Sequence, residues 1–283
     1  MEDVPAILMS GLPGKMATLV AERILKDNKY PLLSVGLTGE NQPEKICIGG
    51  EHHNFSLSSP EKHGGQLKDL KMIGGDPIII DFSQPDAVNR NAELYCERRV
   101  PFVMGTTGGD RRALENAVRD SGNTAVIAPN MADPIVLVQA MFDYVANTFP
   151  GALEGYRLDA AESHQATKKD TSGTAKAMVG SFKDLGAFLE GDIQKVRESA
   201  DQLGMGIPEQ YLDGHGWHTY TLTSPDGTVA LKFTHNVNGR QPYVNGTIKA
   251  IDFLVGKLKT GEAGCYNMID VLRGGKVDSR VSE

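Results

Sequence analysis

The first 130 residues alternate short apolar runs with segments in which apolar residues recur at helical spacing. Residues 4–9 form an apolar run typical of a strand covered on both faces, and Met16, Val20 and Ile24 then follow at the spacing of a helix. Further strands are predicted at 32–37, 78–82, 100–104 and 124–128, with helices between the last three. Residues 39–76 are less regular and predict loops with short strands. Alternation of this kind predicts an α/β fold with a Rossmann-like parallel sheet.

The pattern changes near residue 131. A helix is predicted from Asp133, and its apolar face includes Met141. A strand at 156–162, a helix at 173–190, two strands around Ser224-Pro225-Asp226-Gly227 and a helix at 247–259 follow. This succession predicts an α+β domain with an open, mainly antiparallel sheet. We therefore expect a dinucleotide-binding domain at 1–130 and a substrate-binding and oligomerisation domain at 131–244. The segment from about 245 to 283 is expected to return to the first domain.

Composition narrows the possible function classes. The 283-residue chain has a formal net charge of -7 and no dense run of Lys or Arg, so it lacks the basic face typical of nucleic-acid binders. Its apolar runs are much shorter than the roughly 18 residues that a membrane span needs. Cys47, Cys96 and Cys265 lack metal-ligand spacing, which predicts reduced thiols in a cytoplasmic setting. A plastid stroma location after removal of a transit peptide stays open.

A glycine turn follows the first predicted strand. Gly11, Gly14, Lys15 and Met16 lie between that strand and a helix, where the backbone can approach a pyrophosphate. The spacing is GxxG and not the full GxGxxG, so an ordinary strand–helix turn is the alternative. The second strand ends near Thr38 and has no carboxylate for a ribose 2′-hydroxyl. This favours NADPH as the cofactor, with NADH as the alternative.

A second glycine-rich turn and a polar loop are the other candidate sites. Residues 105–109 follow a strand and precede a helix, as a ligand-binding turn or a helix-capping loop does. The loop from Glu162 to Ala175 contains His164, Lys168 and a Ser-Gly-Thr turn at a helix start. Such a helix start can bind an anion, and a histidine can release a proton near neutral pH. Solvated loop residues are the alternative interpretation.

These motifs resemble those of the dihydrodipicolinate reductases, in their plant and cyanobacterial form. The resemblance rests on the 162–175 loop and on further motifs in the family's order. These motifs are Gly11-Leu12-Pro13-Gly14-Lys15-Met16, Asp81-Phe82-Ser83, Gly105-Thr106-Thr107-Gly108 and residues 266–273. The resemblance implies an NAD(P)H-dependent enzyme that reduces a cyclic imine dicarboxylate on the route to lysine, and it implies a homo-oligomer, a dimer or a tetramer. A nucleotide-binding homologue with another imine substrate or little turnover is the alternative.

The resemblance also implies roles for individual residues. His164 is implied as the catalytic acid or its close partner, and Lys168 as a substrate ligand that supplies the proton. Gln165, Arg240 and the Gly173-Thr174 pair are implied as substrate ligands. The implied cofactor ligands are Gly11, Gly14, Lys15, Met16, Phe82, Ser83, Gly105, Thr106, Thr107, Ala128 and Asn130, to which the end of the second strand adds Thr38.

The chain departs from the plant-type pattern after Asn130-Met131. Asp133-Pro134 stands where the pattern has a lysine, and a carboxylate near a dianionic substrate should weaken its binding. The alternative is that Asp133 caps a helix and Pro134 occupies its first turn. His52, His53 and His63 have no acidic partners at ligand spacing, so we expect no metal site.

Overall fold

The computed structural model describes residues 4–50, 53–72 and 76–274. The strands are β1 (Ile7–Ser10), β2 (Leu32–Leu37), β3 (Lys45–Ile48), β4 (His53–Ser58), β5 (Ile78–Asp81), β6 (Phe102–Met104), β7 (Thr124–Ile127), β8 (Arg157–His164), β9 (Phe188–Leu189), β10 (Gln194–Val196), β11 (His215–Thr223), β12 (Ala230–Asn238) and β13 (Gly264–Tyr266). The helices are α1 (Lys15–Asp27), α2 (His63–Met72), α3 (Val88–Glu97), α4 (Arg111–Ser121), α5 (Asp133–Thr148), α6 (Gly173–Asp184), α7 (Ser199–Gly204), α8 (Gln241–Thr260) and α9 (Met268–Leu272).

The chain divides into two compact units. One consists of the chain up to Met131 together with the chain from Tyr243 onwards, and the other is Ala132–Pro242. The expected domain boundaries, after residues 130 and 244, lie close to these points. None of the helices in the described ranges is long and apolar enough to cross a bilayer.

The first unit is built on an eight-stranded sheet in the order β13-β7-β6-β5-β1-β2-β4-β3. Its strand pairs are parallel from β13 to β4, as expected, and β3 joins the edge antiparallel to β4. Every residue of β1, β5, β6 and β7 is buried, which explains why these strands are mostly apolar, with one polar terminal residue each in β1 (Ser10), β5 (Asp81) and β7 (Thr124). The sheet is therefore of the Rossmann type that the sequence predicted.

The segment from 39 to 76 is more regular than the sequence indicated. It contains the β3–β4 hairpin and helix α2. Exposed residues in this segment weaken both the strand and the helix patterns. In β3, for example, Lys45 and Cys47 are exposed, Ile46 is partly buried and Ile48 is buried. Among residues 63–70 of α2, Leu67 belongs to the central apolar cluster of the unit and Leu70 packs against it. Such a short apolar stripe gives little periodic signal.

Helix α8 packs within the first unit. A Cβ at Gly246 would lie 1.7 Å from the carbonyl oxygen of Met131, so only glycine allows the helix to come this close. Asp252 of α8 accepts hydrogen bonds from Lys29 Nζ at 2.7 Å and from Tyr30 Oη at 2.6 Å. These contacts attach α8 to the loop between α1 and β2.

The second unit contains a five-stranded sheet. The long pairings of β11 with β8 and with β12 are antiparallel, whereas the short strands β9 and β10 are parallel to β8. The sheet is thus mixed, with antiparallel pairing along its longest strands. Helices α5 and α6 share a hydrophobic cluster with one sheet face, in which the Phe142 ring lies 4.8 Å from Phe182 and 5.0 Å from Phe233.

Three local expectations in this unit were wrong. The helix predicted at 173–190 ends at Asp184, because Gly186 takes φ +96° and the chain then enters β9. Met141 is 53% exposed and lies off the buried face of α5. Asp133 is the first helical residue of α5, and Ala132 is its N-cap.

Candidate active site

The glycine turn after β1 forms the amino end of α1. Gly11 has φ +96°, and a Cβ there would lie 2.4 Å from the carbonyl oxygen of Phe82. Gly14 is the N-cap of α1, and no side chain among the described residues caps it. Lys15 and Met16 begin the helix, with Lys15 exposed. An uncapped helix start beside a close backbone turn fits a bound pyrophosphate.

Thr38 is hydrogen-bonded to this turn. Its side chain is buried, and its hydroxyl donates a 2.5 Å hydrogen bond to the carbonyl oxygen of Leu12. Its backbone N–H donates to the carbonyl oxygen of Ser58 at 2.9 Å. The hydroxyl proton is therefore committed to the turn, and Thr38 holds the loop between Gly11 and Gly14 in place.

A buried carboxylate lies at the carboxyl end of β5, the strand next to β1 in the sheet. Asp81 is 0% exposed and accepts hydrogen bonds from Ser10 Oγ (3.2 Å), Tyr95 Oη (2.7 Å), Asn91 Nδ2 (3.0 Å) and the backbone N–H of Ser83 (2.8 Å). A buried charge needs this number of donors to be tolerated. Asp81 was not assigned a role of its own from the sequence, although a carboxylate at the end of an otherwise apolar strand could have indicated one.

The other expected cofactor residues follow the neighbouring strands. Gly105 lies against the Phe82 ring, where a Cβ would be 2.3 Å from a ring carbon. Thr106 Oγ1 donates to the Ser83 carbonyl oxygen at 3.1 Å, and the Ala128 N–H donates to the Met104 carbonyl oxygen at 2.9 Å. Thr107 is exposed and Asn130 is half-buried.

Most of the expected cofactor residues therefore lie at the carboxyl ends of neighbouring strands. Gly11, Phe82, Gly105 and Ala128 directly follow β1, β5, β6 and β7, which are neighbours in the parallel sheet. In folds of this kind a ligand binds at the carboxyl ends of the strands, close to the first strand. The first unit thus has the form of a dinucleotide site.

In the second unit, His164 is the last residue of β8. Its Nδ1 lies 3.0 Å from the carbonyl oxygen of His215, so the ring proton belongs on Nδ1. Nε2 is buried and has no hydrogen-bond partner within the described part of the chain. Burial lowers the pKa of His164 to about 4, although the Glu162 charge opposes this. At neutral pH the imidazole is therefore uncharged, with a lone pair on Nε2 and no proton there to donate.

His164 belongs to a cluster of three histidines. The His218 ring contacts it edge to face at 5.1 Å, and the His235 ring stacks on His218 at 4.6 Å. Burial lowers the pKa of His218 to about 2 and that of His235 to about 4, so all three are neutral at pH 7. His218 and His235 were not assigned a role from the sequence. The β11–β12 hairpin places them directly opposite each other, a pairing that the sequence alone does not show.

Lys168 carries a positive charge close to His164 along the chain. Its Nζ lies 2.9 Å from both carboxylate oxygens of Asp170, and this hydrogen-bonded pair lowers the pKa of Asp170. The Lys168 N–H donates to the Gln165 carbonyl oxygen at 2.9 Å, which closes a tight turn over 165–168. Asp170 is largely exposed, with 71% of its side chain accessible, so a substrate carboxylate can compete with it for Lys168.

The loop ends at the start of α6. The Ser172 hydroxyl caps the helix by accepting from the Thr174 N–H at 3.2 Å, and the Ser172 N–H donates to the Glu162 carboxylate at 2.9 Å. Gly173 is exposed, and its Cβ position meets no described atom within 4 Å. Gly173 and Thr174 thus lie at a helix amino end, where an anion is stabilised.

Arg240 lies in the turn between β12 and α8. Its Nη2 donates to the carbonyl oxygen of Asp213 at 2.9 Å, and its Nη1 would lie 2.6 Å from a Cβ at Gly214. The guanidinium thus supports the loop before β11, and its other N–H groups are the ones a substrate could use.

One group in the described chain has the composition of a metal site. The possible ligand atoms of Glu162, His164 and His218 lie within 4.8 Å of one another. Both Glu162 oxygens already accept hydrogen bonds, from the Ser172 N–H and from the Arg197 guanidinium, whose charge would repel a metal ion. Of the histidines considered earlier, His63 is buried against the Ser58 carbonyl oxygen, His53 is exposed, and His52 lies outside the described residues.

A Rossmann-type sheet with a glycine turn, together with a second unit that carries a histidine–lysine loop, defines the class of nicotinamide-dependent oxidoreductases. Family models agree with this class. The model "Dihydrodipicolinate reductase, N-terminus" matches residues 6–131, and "Dihydrodipicolinate reductase, C-terminus" matches residues 134–272. The chain therefore belongs to the dihydrodipicolinate reductase family, as the sequence motifs indicated.

Individual relatives agree with the family models. The 4-hydroxy-tetrahydrodipicolinate reductase 2, chloroplastic, of Arabidopsis thaliana is 48% identical over 277 residues, covering 96% of this chain and 78% of that protein. A probable 4-hydroxy-tetrahydrodipicolinate reductase 2, chloroplastic, of Oryza sativa subsp. japonica is 40% identical over 274 residues, covering 96% and 84%. These matches support the plant-type character of the sequence.

Solved structures support the fold. A dipicolinate-bound dihydrodipicolinate reductase from Paenisporosarcina sp. TG-14 has a TM-score of 0.60 at 17% identity, covering 93% of this chain and 97% of that chain. The WlbA dehydrogenase from Thermus thermophilus, solved with NAD and α-ketoglutarate, has a TM-score of 0.56 at 11% identity, covering 97% and 93%. At these identities the likeness is one of fold.

Proposed function

We propose that this protein reduces 4-hydroxy-tetrahydrodipicolinate to tetrahydrodipicolinate with a nicotinamide cofactor, in the diaminopimelate route to lysine. Its family and its plant relatives support the reaction. The alternative of a homologue with another imine or little turnover receives no support from these relatives. The relatives are named chloroplastic, so we place the reaction in the plastid stroma, with the cytoplasm as the other expected compartment.

The observation that carries the proposal is the arrangement of the loop between β8 and α6. Within eleven residues it presents a neutral imidazole at His164, an ammonium group at Lys168 and a helix amino end at Gly173-Thr174. A dicarboxylate needs two anion-binding groups, and the lysine and the helix end supply them. Gln165 and Arg240 complete the proposed set of substrate ligands.

The protein's part in the reaction is to bind the two carboxylates and supply a proton. The 4-hydroxyl group of the substrate leaves as water, which gives the unsaturated dihydrodipicolinate ring, and the nicotinamide, when bound, would provide a hydride for that ring. The ring must gain a proton at its nitrogen or at the neighbouring carbon. The loop contains two ammonium groups, Lys168 and Lys169, and we assign the donated proton to Lys168, as the family resemblance implies. His164 is neutral, and its Nε2 lone pair accepts a hydrogen bond from the substrate or from the Lys168 ammonium. His164 thus acts as the close partner of the acid.

The glycine turn of the first unit is proposed to hold the cofactor. Gly11, Gly14, Lys15 and Met16 would bind the pyrophosphate at the uncapped end of α1. The nicotinamide side of the cofactor would be bound by Phe82, Ser83, Gly105, Thr106, Thr107, Ala128 and Asn130. Thr38 directly follows β2, at the position where many NAD enzymes have a carboxylate. Nothing at this position repels a 2′-phosphate, so we propose NADPH over NADH.

The test is loss of reduced-nicotinamide absorbance with the substrate, for the wild type and Lys168→Ala. We expect Lys168→Ala to lower kcat about 10²–10⁴-fold, the usual contribution of a general acid, and to raise KM. Lys183→Ala, in the last turn of α6, is the matched control and should behave as wild type. A Lys168→Ala enzyme with most of its turnover would exclude the proposed role. Turnover by the wild type with other cyclic imines only would favour the alternative.

A further inference from the structure

Arg197 lies directly after β10, and its guanidinium is bonded to the loop that carries Lys168. Its Nε donates to the Lys168 carbonyl oxygen at 2.8 Å, and its Nη2 lies 3.4 Å from the Asp170 carbonyl oxygen. Its Nη1 donates to the Val196 and Glu162 carbonyl oxygens at 3.1 and 3.3 Å. One side chain therefore holds the loop at two points and joins it to the end of β8.

The same guanidinium forms an ion pair with Glu162. Glu162 Oε1 lies 2.5 Å from Arg197 Nη2, and its Oε2 accepts from the Ser172 N–H at 2.9 Å. Glu162 is completely buried and Arg197 is 14% exposed. The pair thus fixes the loop near its middle, through Lys168, and at its end, through Ser172.

We propose that Arg197, paired with Glu162, is a positioning residue that holds Lys168 and the amino end of α6 in the geometry needed for catalysis. This inference rests on the proposed function, because it assigns the loop its catalytic use. A buried ion pair is weak evidence for stability, since desolvation offsets most of the attraction. The Arg197 bonds to loop carbonyl groups instead point to specific placement of the backbone.

The chemistry requires an arginine at this position. The planar guanidinium donates to the Lys168 carbonyl through Nε and to Glu162 through Nη2 at the same time. A lysine would still neutralise Glu162, but its single nitrogen cannot reach the four loop and strand carbonyl groups in fixed directions. Arg197→Lys therefore separates charge from geometry: it retains the charge and removes the placement.

The experiment compares Arg197→Lys and Arg197→Ala with the wild type in NADPH oxidation. Arg197→Lys is expected to lower kcat at least tenfold while KM for NADPH stays within twofold. Guanidinium ion at millimolar concentration is expected to restore part of the lost rate to Arg197→Ala and none to Arg197→Lys. The control is Arg157→Lys, an exposed arginine of β8 that pairs with Asp159 and Glu190, which should behave as wild type.

Amide hydrogen exchange provides a readout that does not need turnover. In Arg197→Lys, the amides of Lys168 and Ser172 should exchange at least tenfold faster than in the wild type, whereas those of the β11–β12 hairpin should not change. Wild-type kcat together with wild-type exchange in Arg197→Lys would overturn the inference. If the wild type itself does not turn over the substrate, the proposed function fails, and the exchange rates alone decide whether Arg197 orders the loop.

Discussion

The two units present their site residues by different physical means. In the first unit, backbone groups and glycines shape the candidate site. Gly11 and Gly105 allow the backbone and the ring of Phe82 to approach within distances that any side chain at these positions would block. In the second, charged and polar side chains dominate, with Glu162 fully buried and Lys168 paired with Asp170. The first region is thus specified by steric fit and the second by electrostatics.

This difference predicts different sensitivities. A single added methyl group at Gly11 or Gly105 should disable the first region, because a Cβ would lie 2.4 Å from the Phe82 carbonyl oxygen or 2.3 Å from a Phe82 ring carbon in a closely packed interior. The second region should tolerate small changes in shape, but should respond to changes in charge and in pH.

The largest effect is expected for Gly11→Ala. A Cβ would lie 2.4 Å from the Phe82 carbonyl oxygen, at a backbone φ of +96° that disfavours alanine. We expect the free energy of unfolding to fall by about 3 kcal/mol and nucleotide binding to be lost. Urea unfolding and NADPH fluorescence titration measure these two quantities. Gly39→Ala is the control, since its Cβ would meet no described atom within 4 Å. Wild-type nucleotide affinity in Gly11→Ala would separate this turn from the cofactor site.

A large pH dependence of stability is expected from the histidine cluster. The pKa values of His164, His218 and His235 are lowered by burial to about 4, 2 and 4, so between pH 6.5 and 4 the unfolded chain binds protons that the folded chain does not. The free energy of unfolding should therefore fall as the pH falls through this range, by up to about 1.4 kcal/mol per pH unit for each histidine.

His218→Gln tests this origin of the slope. The variant removes one titrating group, so its slope in urea unfolding across this pH range should be smaller by about one histidine's share. His53→Gln, at an exposed position of β4, should leave the slope unchanged. Equal slopes in wild type and His218→Gln would show that the buried cluster does not control acid stability.

The contrast also explains what the sequence could predict. The parallel sheet was predictable because β1, β5, β6 and β7 are apolar except for one terminal residue each in β1, β5 and β7. The glycine turn was predictable because it lies between a strand and a helix. Helix α2 was missed because few of its residues pack inward. The end of α6 was missed because the chain beyond Gly186 keeps an apolar pattern while it forms β9.

The residues of the candidate site also differ in how far the sequence could predict them. His164, Lys168 and the Ser172–Thr174 turn could be proposed as site residues from the sequence because they are close together along the chain. Their supporting residues come from distant segments: Arg197 follows β10, and His218 and His235 face each other across a hairpin. Such partners are brought together by strand register, which a single sequence does not specify residue by residue.

A smaller effect is expected for Asp170→Asn. Asp170 holds the Lys168 ammonium through two hydrogen bonds but is largely exposed, so the pair is worth at most about 1 kcal/mol. Removing the charge frees Lys168 for a substrate carboxylate, and KM should fall by up to about fivefold at low salt and less at high salt. Asp159→Asn, at an exposed carboxylate of β8, is the control. A raised KM would mean that Asp170 orients Lys168 and does not compete for it.

The smallest effect is expected at Asp133, where the chain departs from the plant-type pattern. Asp133 lies in the first turn of α5, and a carboxylate there is favourable to the helix by about 0.3–1 kcal/mol. Asp133→Lys should therefore lower stability slightly, and if the carboxylate repels the dianionic substrate, it should also lower KM by about two- to threefold. Asp133→Asn, which removes charge without adding one, should give a smaller change in the same direction. Unchanged KM in both variants, with the loss of stability still present, would assign Asp133 to the helix start and remove it from substrate recognition.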